Sequence, residues 1–403
     1  MDFETRYPPE QEREREEFRP QVRAWLEDNL AGVGAPPDAG DLTYEQFQRN
    51  RAFLGKLGEK GWYAPGWPQE HGGAELSPHV AAVIREEMEA HVPHLENVHP
   101  PGDIGGSAAG AIWGLGTEEQ KRRLLPPILR GEVVTWELYT EPEAGSDLPS
   151  LRSTAERQGD VYVMNGTKTL VGGHFEADYL FTLAITDPEA PRRENLSVFL
   201  VPFGLPGITI TDMEMIAGSK KRTIIFDDVR VPVGQIVGKE GDGWTAFNTG
   251  LQGALSVGIG PGLDRDGHVL EQFLAYCKET QHDGRPLSSQ PHVQDVLSRI
   301  YIDFQVQRLL RLRNQWMASA GRPATYEGIQ AVLGRKLFDL RLGEAMHQAL
   351  GPLSMIKDPA WAPFGGDLEY FHRFAIIMAH PGGTVEIQKL RMFRGLLEAS
   401  PAQ

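Results

Sequence analysis

The spacing of apolar residues changes period twice along this chain, and that change limits the available folds more than any single residue does. From about residue 14 to 134 apolar positions recur three or four apart, in REEFRPQVRAWLEDNL, YEQFQRNRAFLGKLGEKG, PHVAAVIREEMEAH and TEEQKRRLLPPILRG. That spacing lines one face of a helix. Thr117, with Gln120 three places on, predicts a capping box at the start of the last of these helices. From about 135 to 240 the runs are short and rich in β-branched and aromatic residues (VYVMNG, YLFTLAIT, LSVFLVPF, ITITDME, RTIIFDDVRVP), divided by Gly, Pro, Asn and Asp. These predict a compact antiparallel β domain. After GKEGDGW the helical period returns and holds to the end, as in HVQDVLSRIYIDFQVQRLLRLRNQWMA and YEGIQAVLGRKLFDLRLGEAMHQAL. The expected class is α+β, with a helical domain over 1–134, a β domain over 135–240 and a second helical domain over 241–403.

The chain has 403 residues, 40% apolar and 24% charged, an ordinary globular composition. Its formal charge of −15 argues against a nucleic-acid surface, which needs a cationic stripe to displace counterions. The basic clusters EREREEF, KRR and SKKR are short or mixed with acids and read as solvated helix faces. Cys277 is the only cysteine, so no intrachain disulfide and no cysteine metal cage can form, and a reducing interior suits the chain. No apolar run approaches the roughly 20 residues of a membrane span, and the acidic, polar start MDFETRYPPEQERERE lacks a signal peptide's character. The expectation is a cytoplasmic protein that binds neither membrane nor nucleic acid. His91 and His94 are split by Pro93, and neither they nor His99 and His380 show zinc-protease spacing. GPGLDRDGH lacks the later glutamate of a calcium loop, and no Gly-x-Ser-x-Gly elbow or Gly-Lys-Ser run is present.

Two stretches carry candidate binding chemistry. TEPEAGSD offers hydroxyls at Thr140 and Ser146, a small Ala144 and a flexible Gly145, so a flat polar ring and a phosphate chain could lie against its main chain. The same residues also read as a Gly/Pro turn between helix and strand. Near the C-terminus AHPGGTVEIQKLRMF leads into a segment with Ile387, Leu390 and Phe393 at helical spacing. Its turn presents bare N–H groups at a positive helix end, which suits an anionic or electron-rich ligand. It reads equally well as an ordinary helix start with Thr384 as N-cap.

Taken in order, LYTEPEAGSDLPSLRSTAERQGDVYVMNGTK, FDDVRVPVGQIVGKEGDGW and GGTVEIQ, with the upstream GWYAPGWPQEHGG and LGTEEQKRRLLPPILRGE, resemble the acyl-CoA dehydrogenases over nearly the whole chain. The resemblance implies an N-terminal α-helical domain, a middle antiparallel β domain and a C-terminal four-helix bundle, assembled as a dimer of dimers. It implies FAD held between helical and β domains, and oxidation of the Cα–Cβ bond of an acyl-CoA thioester. It carries FAD contacts onto Tyr139, Thr140, Gly145, Ser146, Gly383 and Thr384. Gln348 and Gly351 in HQALGP match a stretch that reaches a neighbouring subunit's FAD, although Pro352 replaces its second glycine, and Gln348 reads as readily as a plain exposed helix residue.

The departures from the family pattern are sharper than the matches. Dehydrogenation needs a positioned carboxylate to remove the α-proton while flavin N5 accepts hydride. Most members place it immediately before the Gly-Thr of the C-terminal turn, where this chain has Gly382; a minority place it after GDGW, where LQGAL has Ala254 and Leu255. Glu386 lies on the wrong side of the turn, and no family pattern puts a base at His380. Beyond NGTK the usual aromatic, aliphatic and Thr-Ser run is Leu170, Val171, Gly172 and Gly173; the first and third of these are the flavin-contact positions. An Arg-x-Gln-Phe-Gly stretch that serves a partner's FAD appears as TQHDG, with Thr280 and Asp283 in place of the arginine and phenylalanine. Losing a cation and gaining an acid disfavours a dianionic cofactor.

The preferred reading is the base-lacking subunit of a heteromeric FAD-dependent acyl-CoA dehydrogenase, a heterodimer or α2β2 tetramer. A homologous partner chain carries the glutamate and most FAD contacts, and the acyl-CoA substrate is bulky or steroid-like. The alternatives are a homomeric flavin-dependent monooxygenase or oxidase of the same fold, and a non-catalytic acyl-CoA-binding or structural protein.

Overall fold

The computed structural model describes residues 7–31, 33, 43–91, 106–172, 175, 177–217, 220–254 and 265–399. Gly173, Leu255, His94, His99 and the first half of the GPGLDRDGH loop lie outside the described residues. The first helices are α1 (Pro9–Asn29), α2 (Tyr44–Glu59), α3 (Pro78–Glu89), α4 (Gly106–Leu115) and α5 (Glu118–Leu129). Helix α1 turns Val22 and Leu26, four apart, into the core. Capping boxes open α2 through Thr43 and Gln46, and α5 through Thr117 and Gln120, the second as its sequence predicts. Gln120 also donates from Nε2 to Ile236 O at 2.7 Å, tying α5 to the next domain.

The EREREEF run is the solvated face expected of it at Glu12, Arg13, Glu14, Glu16 and Glu17, but not at Arg15. Arg15 is only 4% exposed. It donates through Nη2 to both carboxylate oxygens of Glu86, at 2.9 and 2.8 Å, and through Nη1 to His79 O at 2.9 Å. Arg19 and Arg23 both grip Glu87, at 2.8 and 3.0 Å. The physical reason is spacing: arginines at 15, 19 and 23 share one face of α1, and the acids that answer them sit together on α3, far away in sequence.

Among the described residues eight strands form one sheet: β1 (Thr135–Leu138), β2 (Thr154–Gln158), β3 (Val161–Val171), β4 (Tyr179–Ile185), β5 (Leu196–Pro202), β6 (Ile208–Glu214), β7 (Lys220–Pro232) and β8 (Ile236–Val237). Their order is β6-β7-β3-β2-β4-β5-β8, with β1 beside β4. The ladders are antiparallel except two made by β4, which pairs parallel with β1 and, by one residue, with β2, while its ladder with β5 is antiparallel. Strands β4 and β5 are buried on both faces, which is why YLFTLAI and LSVFLVP read as nearly continuous apolar runs. Phe181, Leu183, Val198 and Leu200 face the N-terminal helices, while Leu180, Ala184, Phe199 and Val201 face a second core with Trp136, Tyr162 and Phe226.

The remaining helices are α6 (Gly243–Ala254), α7 (Arg265–Glu279), α8 (Pro291–Ser319), α9 (Glu327–Leu350), α10 (Asp367–Met378) and α11 (Val385–Ala399). Helix α6 crosses α4 so closely that a Cβ on Gly250 would stand 2.6 Å from Ser107 O. Helices α7 to α10 share a third core around Phe273, Phe338, Leu342 and Phe371.

Candidate functional site

The TEPEAGSD loop leaves β1 beside that sheet and folds back on itself. Glu141 N donates to Ala144 O at 3.0 Å and Ala144 N returns a bond to Glu141 O at 3.1 Å. Thr140 is half-buried, and Gly145 and Ser146 are exposed with open space around the position a Gly145 side chain would take. Tyr139 packs its ring against Phe247 of α6 and Phe181 of β4, with centroids 4.8 and 6.0 Å away. Thr169 N donates to Thr140 O at 2.8 Å, so the end of β3 lies against this loop. There the β3–β7 register shifts between Lys168 and Val171, and Leu170, at φ 56°, is 48% exposed. Gly172 follows at the strand's end. The structure thus brings Thr140 and Leu170 together.

Beneath the loop lies an ion pair. Lys168 is 0% and Glu141 7% exposed. Glu141 Oε1 accepts from Lys168 Nζ at 2.8 Å, Ser153 Oγ at 2.6 Å and Ser153 N at 3.1 Å, and Oε2 from Arg152 N at 2.6 Å. Burial pushes this carboxyl up, but the Lys168 charge and these donors outweigh it and hold the group below its ordinary range. Glu137, on the same face of the strand as Tyr139, accepts from Ser107 N at 3.2 Å at the start of α4, and the loop's exposed acids Glu143 and Asp147 pair with Arg152 and Arg192. None of these acids is without a partner.

The C-terminal turn joins α10 to α11. Gly382 and Gly383 take φ 69° and 96°, left-handed values that favour glycine. Thr384 Oγ1 accepts from Ile387 N at 3.2 Å, the N-cap arrangement its sequence allows. Two side chains hold the turn from behind. Lys336 of α9 donates to Met378 O at 2.8 Å and Pro381 O at 2.7 Å, and Gln388 of α11 donates from Nε2 to Gly382 O at 2.6 Å. The buried Gln388 Oε1 is left without a partner among the described residues. His380 and Glu386 are both exposed, and Ala254 is the last residue of α6.

Lys336 is 9% exposed, and burial, with Arg335 beside it, pushes its ammonium down to about 8 against the opposing pull of Asp339. Its folded pKa lies below its unfolded value of 10.5, so the charged form is the one folding disfavours. The cost is fully present below about pH 8 and is relieved as pH rises through that window. Stability should therefore climb from this group between pH 8 and 10.5, and Lys336→Met should remove the rise; urea midpoints of both proteins across that range check it.

Gln348 is exposed near the end of α9, and Gly351, at φ 55° and ψ −137°, ends the helix. Twelve residues separate Gln348 from Lys336, about 18 Å of helix, which sets the pair well away from the glycine turn. TQHDG forms a hairpin: β9 (Gln281–His282) pairs with β10 (Arg285–Pro286) across Asp283 and Gly284, at φ 53° and 72°. Thr280 N donates to Tyr276 O, and Asp283 is exposed. The hairpin also sets an exposed cation, Arg285, directly across from His282. Sequence reading missed it, although Asp-Gly between short flanks signals a two-residue hairpin.

Models of the N-terminal, middle and C-terminal domains of acyl-CoA dehydrogenase match residues 12–132, 137–229 and 241–397. The acyl-CoA dehydrogenase IpdE1 of Mycobacterium tuberculosis is 31% identical over 389 residues, spanning 93% of this chain and 95% of its own. The chain belongs to the acyl-CoA dehydrogenase family. Among solved structures of that family, the ChsE4-ChsE5 complex from M. tuberculosis matches with TM-score 0.77 and 27% identity, covering 98% of this chain and 99% of the other. The Tcur3481-Tcur3483 steroid ACAD matches with TM-score 0.76 and 25% identity over the whole of both chains.

FAD is the cofactor of acyl-CoA dehydrogenases, and the loop side of this chain fits it. Thr140 and Ser146 present hydroxyls on a pinned main chain, Gly145 leaves room, and the glycine turn offers backbone donors. The hairpin fits less well, since Asp283 opposes an anionic group that Arg285 would attract. Sequence reading also passed over Glu137, Glu141, Lys168, Lys336 and Gln388; the positions of Glu141, Lys168 and Gln388 inside the stretches that carry the family resemblance could have signalled those three, and nothing local signals Glu137 or Lys336.

Proposed function

We propose that this chain is the base-lacking subunit of a heteromeric FAD-dependent acyl-CoA dehydrogenase, completed by a homologous subunit that supplies the proton-abstracting carboxylate. The observation that carries this is Gly382: the usual base position is a left-handed glycine in a turn held by Lys336 and Gln388, so the element is kept in shape while its reactive group is gone. Each acid at the loop already has a partner: Glu137 accepts from Ser107 N, Glu141 from Lys168, Ser153 and Arg152, and Glu143 and Asp147 pair with Arg152 and Arg192. FAD, when bound, would supply the hydride acceptor for the Cα–Cβ bond. On this chain Tyr139, Thr140, Gly145, Ser146, Leu170, Gly172, Gly383 and Thr384 would be the residues that contact the cofactor. Gln348 and Gly351 reach toward a site shared with the neighbouring subunit, and the partner provides the remaining contacts. The ChsE4-ChsE5 and Tcur3481-Tcur3483 matches, each naming two chains and the second a steroid enzyme, support a paired assembly acting on a bulky, steroid-like acyl-CoA. No helix among the described residues is long and apolar enough to cross a membrane, in keeping with a cytoplasmic enzyme.

Co-expression with a homologous chain carrying glutamate in its C-terminal turn tests the proposal. The expected result is co-purification, about one FAD per pair by flavin absorbance, and acyl-CoA dehydrogenation by the pair but not by this chain alone. A lone chain that purifies yellow, with one FAD each and oxygen consumption by its reduced flavin, would refute the paired reading in favour of an oxygenase. If no candidate partner brings in flavin, the non-catalytic reading stands.

A further inference from the structure

The Glu141–Lys168 pair is the most deeply buried ion pair among the described residues, with side chains 7% and 1% exposed, and no step of the proposed reaction uses it. Burying two charges costs more solvation than their attraction reliably returns, so such a pair is a poor device for stability and a better one for fixing a single arrangement. Its bonds show what it fixes. Glu141 belongs to the TEPEAGSD loop, its partners Arg152 N and Ser153 lead into β2, and Lys168 lies on β3, so one carboxylate ties together three stretches remote in sequence. The fit around it is tight: a Cβ on Gly166 would stand 2.2 Å from Ser153 Oγ. On one side the pair adjoins Thr140, and on the other Thr169, whose N–H bonds Thr140 O. The hydroxyl of Thr140 and the exposed Leu170 thus both lie next in sequence to main chain held by one buried anchor.

We propose that Glu141 and Lys168 are positioning residues for the cofactor: their pair sets the main chain of Thr140–Ser146 and of Thr169–Gly172 so that both face one flavin. This rests on the reading that FAD contacts this chain's loop.

The test uses the co-purified pair of subunits with the double variant Glu141→Gln/Lys168→Met, which removes both charges and leaves neither one buried alone. FAD affinity is expected to fall at least about tenfold, because small displacements of a binding group carry large penalties. Amide hydrogen exchange at Glu141 and Ala144 should quicken at least about tenfold, while the melting temperature stays near that of the parent. FAD affinity and exchange both within about twofold of the parent would overturn the proposal, and a melting temperature that fell alone would leave the pair a purely structural element. Should the double variant fail to fold, Ser153→Ala keeps both charges and removes one bond to Glu141; it should weaken FAD binding and speed exchange at the same amides, and no change in either overturns the proposal. A parent pair that holds no FAD would sink the functional reading instead, and exchange at Glu141 and Ala144 would still decide whether the ion pair positions the loop.

Discussion

Lys168→Met is expected to destabilise the chain by about 3–5 kcal/mol, the usual cost of leaving one member of a buried ion pair without the other. In the parent Glu141 sits 7% exposed among Lys168, Ser153 and Arg152 N–H. Methionine fills much of the lysine volume, so the loss is electrostatic rather than a cavity. The remaining hydrogen bonds cannot replace the lost cation, and the carboxylate must either stay charged in a poor environment or take up a proton. A melting temperature lower by on the order of 10 °C would report it. The decline should shrink at acidic pH, where the protonated carboxyl no longer needs a cation, so the difference between parent and variant closes as pH falls below the usual carboxylate range. Loss of equal size at pH 7 and at about pH 3, below the usual carboxylate range, would mean that packing, not charge, governs the site.

The order of elements was legible because each period reports a local constraint. Helical spacing and Thr117–Gln120 marked α5, and runs such as LSVFLVP marked buried strands. The parallel pairing at β4 was not legible, since nothing local tells a strand which neighbour it will meet. The same limit explains the arginines of α1. Their i, i+4 spacing is visible in the sequence, but the acids of α3 that turn a solvated face into an interface are some 70 positions away, at |i−j| of 71 for Arg15 and Glu86.

The site divides along the same line. Glycines at 382 and 383 could be read as a turn because a left-handed backbone has a residue signature, and the structure gives them φ 69° and 96°. Lys336 could not, because it approaches that turn from 45 residues away, at Pro381 O. What the family resemblance contributed was the chemistry expected at each position, and so the importance of what is missing from Gly382.

In the assembled pair, Glu386→Gln and His380→Ala are expected to leave kcat within about twofold of the parent, whereas removing the carboxylate from the partner's turn should cost about 10²–10⁴-fold. A base must come within hydrogen-bonding reach of the proton it takes. Glu386 is exposed on the first turn of α11, past the Thr384 cap, and His380 is exposed with Nδ1 engaged at 3.1 Å by Ile376 O. Gly382→Glu in this chain is the complementary change. The structure leaves open space for a Cβ there, so the strain comes from φ 69° alone, about 1–2 kcal/mol, and the variant should fold. It should still give no dehydrogenation without the partner, because a carboxylate added to this turn restores none of the cofactor contacts altered at Leu170, Gly172 and Thr280. A fall of more than about 10²-fold on Glu386→Gln, or turnover by the lone Gly382→Glu chain, would place the acid chemistry on this subunit after all.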